Sequence, residues 1–159
     1  MIPVLAHLQR QLDSARRMLG IVLAQGDAIR RRDVESVLAR LTDVQAELVE
    51  RNRLELERDA LLSQAAGRLG RPASELELED VLLVAPADEV EPARAASAEL
   101  RGLLREVGRV HDQNRILIRQ ELTFLDHLMR VISGSPQTGY HPRGAVHAPQ
   151  ALNVVDARA

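Results

Sequence analysis

The sequence predicts an all-α fold: an elongated antiparallel helical bundle or coiled coil of three main helices, followed by a flexible C-terminal tail. Three observations predict it. Hydrophobic residues make up 45% of the 159 residues but aromatic residues only 1%, so the core is left to Leu, Val, Ile and Ala, a palette that suits interlocking helix stripes better than a sheet. Apolar residues recur at alternating spacings of three and four over three long segments. Gly134 and Pro136 then stop the last of these, and no periodicity follows.

The first helix, about 3–31, begins after Pro3 and carries a seam of Leu5, Leu8, Leu12, Ala15, Leu19, Val22, Gly26 and Ile29. Gly20 and Gly26 weaken it, each by about 1 kcal/mol relative to alanine. The run Arg30–Arg32 suits the negative end of a helix, and Asp33 is an N-cap type, so a second helix is expected over about 34–69. Its expected core residues are Val34, Leu38, Leu41, Val44 and Leu48, then Leu54, Leu61, Leu62 and Ala65, with Gly70 and Pro72 closing it. Ser74 and Glu77 have capping-box spacing ahead of a short helix at about 75–84, and the acidic, proline-bearing stretch after it reads as a connector.

The third long helix, about 92–133, runs roughly 60 Å at 1.5 Å per residue. It carries two stripes. One comprises Leu100, Leu103, Val107, Val110, Asn114, Leu117, Glu121, Phe124, Leu128 and Val131. The other, confined to the C-terminal half, comprises Ile118, Leu122, Leu125, Met129 and Ile132. Two stripes make a face wide enough for two neighbours, either both inside the bundle or one an amphipathic helix from outside. Asn114 and Glu121 interrupt the first stripe, as a register-setting layer or as polar contacts to a partner. The domain boundary is expected at 133/134, with 134–159 as the tail.

Composition excludes several function classes. A net charge of -2 gives no overall field for a nucleic-acid backbone, and the absence of cysteine removes disulfide and thiolate chemistry. No stretch has the length and apolarity of a signal peptide core or a membrane span, so a cytoplasmic protein without direct membrane insertion is expected. His7, His111, His127, His141 and His147 are too dispersed for a preformed metal site and are expected to be solvated or at rims. The common zinc, phosphate-loop, dinucleotide and hydrolase motifs are missing, and "DHLMRVISG" lacks the close-approach glycine of a histidine phosphotransfer domain. No catalytic residue, metal or cofactor is therefore assigned, and the chain is not expected to be an enzyme.

The segment "NRILIRQELTFLDHLMRVISG", with Tyr140 and Gly144 after it and then "LNVVDARA", resembles the C-terminal part of the FlgN-type flagellar export chaperones. The helical hairpin before it is similar too. The resemblance implies a chaperone that binds the C-terminal helical segments of the hook-filament junction proteins FlgK and FlgL, prevents premature assembly and delivers them to the export gate. It implies cargo contacts at Ile118, Leu122, Leu125, Met129 and Ile132, with tail residues Leu152, Val154 and Val155. Tyr140, the only tyrosine, is implied as the contact to the cytoplasmic domain of the gate protein FlhA. The competing expectation is a structural coiled-coil adaptor without an export role, which would self-associate through the second stripe as a homo-oligomer.

Overall fold

The computed structural model describes residues 4–134, and those residues are all-α, with helices, short 3₁₀ turns and no strand. Helix α1 is Val4–Arg30, α2 is Val34–Leu69, α3 is Leu78–Leu82 and α4 is Val90–Ser133, with 3₁₀ turns at Ala73–Glu75 and Ala87–Glu89. The expected tail, with Tyr140, Leu152, Val154 and Val155, lies outside the described residues. By its internal contacts the chain divides into two units, Met1–Phe124 and Leu125–Ala159.

Within the first unit, local signals set the helix ends. Asp33 caps α2 by accepting the Ser36 amide at 3.0 Å, and Gly70, at φ 65°, closes the same helix in the left-handed conformation. The cap of α3 differs from the expected one. Asp80, not Ser74, does the capping, because its carboxylate accepts the Glu77 amide at 3.0 Å and is held by Arg71 at 2.7 Å. The connector is also shorter than expected. Helix α4 starts at Val90, since Pro92 falls in the first turn, where a proline has no amide bond to lose.

Helix α1 is the centre of the bundle. Arg10 pairs with Glu57 at 2.8 Å and Arg17 with Glu47 at 3.0 Å, so α2 runs antiparallel to α1. Arg16 meets Glu99 and Arg32 meets Glu121, at 2.6 and 2.9 Å, so α4 returns parallel to α1. The largest core cluster joins Val4, Leu8 and Leu12 to Ala65, to Ala93 and Ala96, and to Leu76, Val81 and Leu82 of the segment between α2 and α4. That segment therefore closes one end of the bundle. A second cluster of Met18, Val22 and Val110 lies further along α1.

Beyond the second cluster comes a polar layer. The buried Asn114 amide donates to the Val22 carbonyl at 2.7 Å and to Gln25 Oε1 at 3.4 Å. It sits on Gly26, where an added Cβ would lie 2.6 Å from Asn114 Oδ1. Gly26 is thus the seat for Asn114, not simply a weak point in α1, whereas nothing approaches Gly20 within 4 Å.

Two expectations fail in this unit. Val34, Leu38, Leu41 and Leu48 are exposed, because the face of α2 turned to α1 carries Glu47, Leu54, Leu61 and Ala65, and Leu48 lies one residue, about 100°, further round the helix. His7 is buried, contrary to its expected solvation or rim position. Its Nδ1 is 3.5 Å from Glu57, a carboxylate already engaged by Arg10 and Arg53, and neither ring nitrogen has a hydrogen-bond partner. Burial pushes the His7 pKa below the ordinary histidine value, against the opposing pull of Glu57.

Two predictions come from these sites. Gly20→Ala should stabilise the protein by about 0.5–1 kcal/mol through helix propensity, and Gly26→Ala should destabilise it by about 1–3 kcal/mol through overpacking against Asn114. Urea denaturation of the pair checks both signs. For His7, the neutral ring favours the folded state, so stability is present above the unfolded pKa of about 6.5 and falls as pH drops below it toward the folded value. The thermal midpoint should decrease between about pH 7.5 and 5.5, where unfolded carboxylates remain ionised, and this decrease should shrink in His7→Leu.

Candidate functional site, the exposed turns of α4

Along α4 the first stripe is buried or half-buried at Leu100, Leu103, Val107, Val110, Asn114, Leu117 and Glu121. It then becomes exposed at Phe124, Leu128 and Val131. The second stripe is exposed throughout, at 36% for Ile118, 60% for Leu122, 51% for Leu125, 65% for Met129 and 72% for Ile132. From Leu122 to Gly134 every residue is exposed. The second stripe is therefore not core among the described residues. Ile118 and Leu122 belong to the first unit, and Leu125, Met129 and Ile132 to the second.

Polar residues of the first stripe mark the change. Asn114 and Glu121 both make contacts inside the first unit, Asn114 to α1 and Glu121 to Arg32 in the turn between α1 and α2. Arg32 also stands over the Phe124 ring, with its guanidinium carbon 5.1 Å from the ring centroid. One side chain thus holds two successive turns of α4, by an ion pair and by a cation–π contact. Its backbone is at φ 57°, a left-handed conformation that is costly for a residue with a Cβ. The three-residue turn Arg31–Asp33 requires this bend, and the Asp33 amide bonds back to the Ala28 carbonyl at 3.0 Å. Arg32 entered the sequence reading only as part of a basic run; nothing local showed that it reaches a helix some ninety residues away.

Among the described residues no group of His, Asp and Glu is arranged to hold a metal. His111 and His127 are exposed. Among the described residues no helix is long and apolar enough to cross a membrane. Exposed large aliphatic side chains on one wide face of α4 suit an apolar helix partner, since each turn presents Leu, Met, Ile or Val at helical spacing.

A family model described as FlgN protein matches residues 3–148 of the chain. No curated protein matches. No solved structure matches either.

The left-handed turn gives a test of the Arg32 contact that separates clasp from strain. Arg32→Ala and Arg32→Gly both remove the Glu121 and Phe124 contacts, and amide exchange at Leu117–Glu121 should quicken in both. The glycine variant should nevertheless be more stable than the alanine variant by about 1 kcal/mol, because glycine adopts positive φ without a Cβ clash. Thermal denaturation of the two variants reads the difference.

Proposed function

The chain belongs to the FlgN family, and from that premise we propose that it is a flagellar export chaperone acting through α4. The cargo is the C-terminal helical segments of the hook-filament junction proteins FlgK and FlgL, and its surface on this chain is Ile118, Leu122, Leu125, Met129 and Ile132. The observation that carries this reading is the run of large apolar side chains left exposed on α4 from Ile118 to Ile132. Leu152, Val154 and Val155 add to the cargo contact in the same reading, and Tyr140 contacts the cytoplasmic domain of the export gate protein FlhA.

The mechanism is binding without a covalent step. Cargo helices that will later pack against one another carry apolar stripes, and an aliphatic helix face covers those stripes while the cargo waits in the cell. Burial of leucine and methionine side chains supplies the affinity at about 25 cal/mol per Å² of apolar surface removed from water. No directional chemistry is required, so one face can serve two related cargoes and release them when their own partners compete.

Leu125→Glu and Met129→Glu should leave the helical content and unfolding midpoint unchanged, because both side chains are exposed. Each should weaken binding of a FlgK C-terminal segment by about 2 kcal/mol or more, at least roughly tenfold to thirtyfold by calorimetry. Normal cargo affinity in both folded variants would remove the cargo assignment. Tyr140→Ala should lower affinity for the FlhA cytoplasmic domain by a similar factor and leave cargo affinity intact. Loss of self-association in the glutamate variants, with cargo binding unaffected, would favour the coiled-coil adaptor.

A further inference from the structure

A notch of about 220 Å³ opens between α1, α2 and α4 inside the first unit. Its nearest lining residue on α4, Val107, precedes Ile118 by eleven positions, about 16 Å along the helix, so the notch is separate from the exposed stripe. Ala15, Met18 and Leu54 line it and are buried, while Leu104 lines it and is exposed. The charged lining residues are Arg51, Glu55 and Arg58, all on α2. Arg58 pairs with Glu55 at 2.9 Å, and Arg51 has no ion pair among the described residues. On α4, Arg101 and Arg105 flank Leu104 in sequence and also lack ion pairs among the described residues. The notch is thus apolar inside, with Arg51 on its lining and Arg101 and Arg105 on the adjoining turns of α4 all free of ion pairs among the described residues.

We propose that this notch docks an acidic amphipathic helix of a partner protein, which inserts one leucine- or phenylalanine-sized side chain and sets carboxylates against Arg51, Arg101 and Arg105. Size supports the anchor, since an apolar cavity of about 150 Å³ already admits benzene. Size also argues for a polypeptide over a small amphiphile, because small-molecule sites run from roughly 300 to 1,000 Å³ and this notch is smaller. A single anchor in an open notch needs further contacts for useful affinity, and guanidinium groups on two helices supply them to a segment lying across both. Charge complementarity selects the partner, since a basic helix with the same apolar anchor would meet unpaired like charges.

The test uses the full chain with methyl-labelled methionine and leucine and two synthetic helical peptides. The peptides share one central leucine and differ only in flanking glutamates or lysines. The glutamate peptide should shift the Met18, Leu54 and Leu104 methyl resonances, and its affinity should fall several-fold as salt is raised. Arg51→Glu should reduce that affinity at least tenfold, and Arg51→Gln by less, without changing the unfolding midpoint, since Arg51 is exposed. Equal binding of the lysine peptide, or no shift at these three residues, overturns the proposal. Shifts confined to Leu122 and Met129 overturn it too, by placing the peptide on the exposed turns of α4. Decanoate producing the same shifts at lower concentration than the glutamate peptide would assign the notch to a small amphiphile instead. Concentration-dependent shifts without any peptide would assign it to a second copy of the chain.

Discussion

The seating of Asn114 on Gly26 fixes how α4 lies on α1, and the rest of the first unit depends on that register. Aliphatic stripes alone specify register weakly, because a shift of one turn, about 5.4 Å, places similar side chains opposite one another. A buried amide is less tolerant. Asn114 must find the Val22 carbonyl and Gln25, and it can approach only where α1 lacks a Cβ. A one-turn slip would leave it without those partners at a cost of about 1–3 kcal/mol, and would also separate Arg16 from Glu99 and Arg32 from Glu121. The ion pairs are half-exposed and individually weak, so they follow the register that Asn114 sets.

That register decides which apolar residues are covered. With Asn114 opposite Val22 and Gln25, Glu121 falls at the turn after α1, where Arg32 takes it and Phe124 together. Helix α1 ends at Arg30 and has no further residues to offer. The first stripe is therefore covered through Leu117 and Glu121 and exposed at Phe124, although its spacing does not change. Exposure of Phe124 is a consequence of where the first helix stops, not of any change in the pattern of the last.

The sequence was legible where the signals are local. Asp33 starts α2, and Gly70 and Gly134 end helices, as their residue types suggest, and the long segments fell within a few residues of their expected bounds. What was not legible depends on partners far along the chain. Leu38 and Leu48 are spaced as core residues yet are exposed, because Leu54, Leu61 and Ala65 put a different face of α2 against α1. His7 looked solvated because no local feature reports that α2 covers it. The second stripe of α4 left two readings open in the sequence, internal or external, and among the described residues it is exposed. Which partner meets it is a question of binding, and spacing alone carries no answer.

An exposed aliphatic face on a helical protein also has a thermodynamic consequence. The aliphatic side chains of Leu122, Leu125, Met129 and Ile132 keep half or more of their surface in water, so they contribute little of the burial that holds the described fold. The fold is carried by buried residues such as Leu54, Ala65, Ala93 and Val110, while the large apolar side chains of the late turns of α4 stay exposed. A binder of the folded face adds RT ln(1 + [L]/Kd) to stability, about 2.7 kcal/mol at a hundredfold excess over Kd. Substitutions on that face therefore leave the fold intact, whereas changes at Gly26 or Asn114 act on the fold itself.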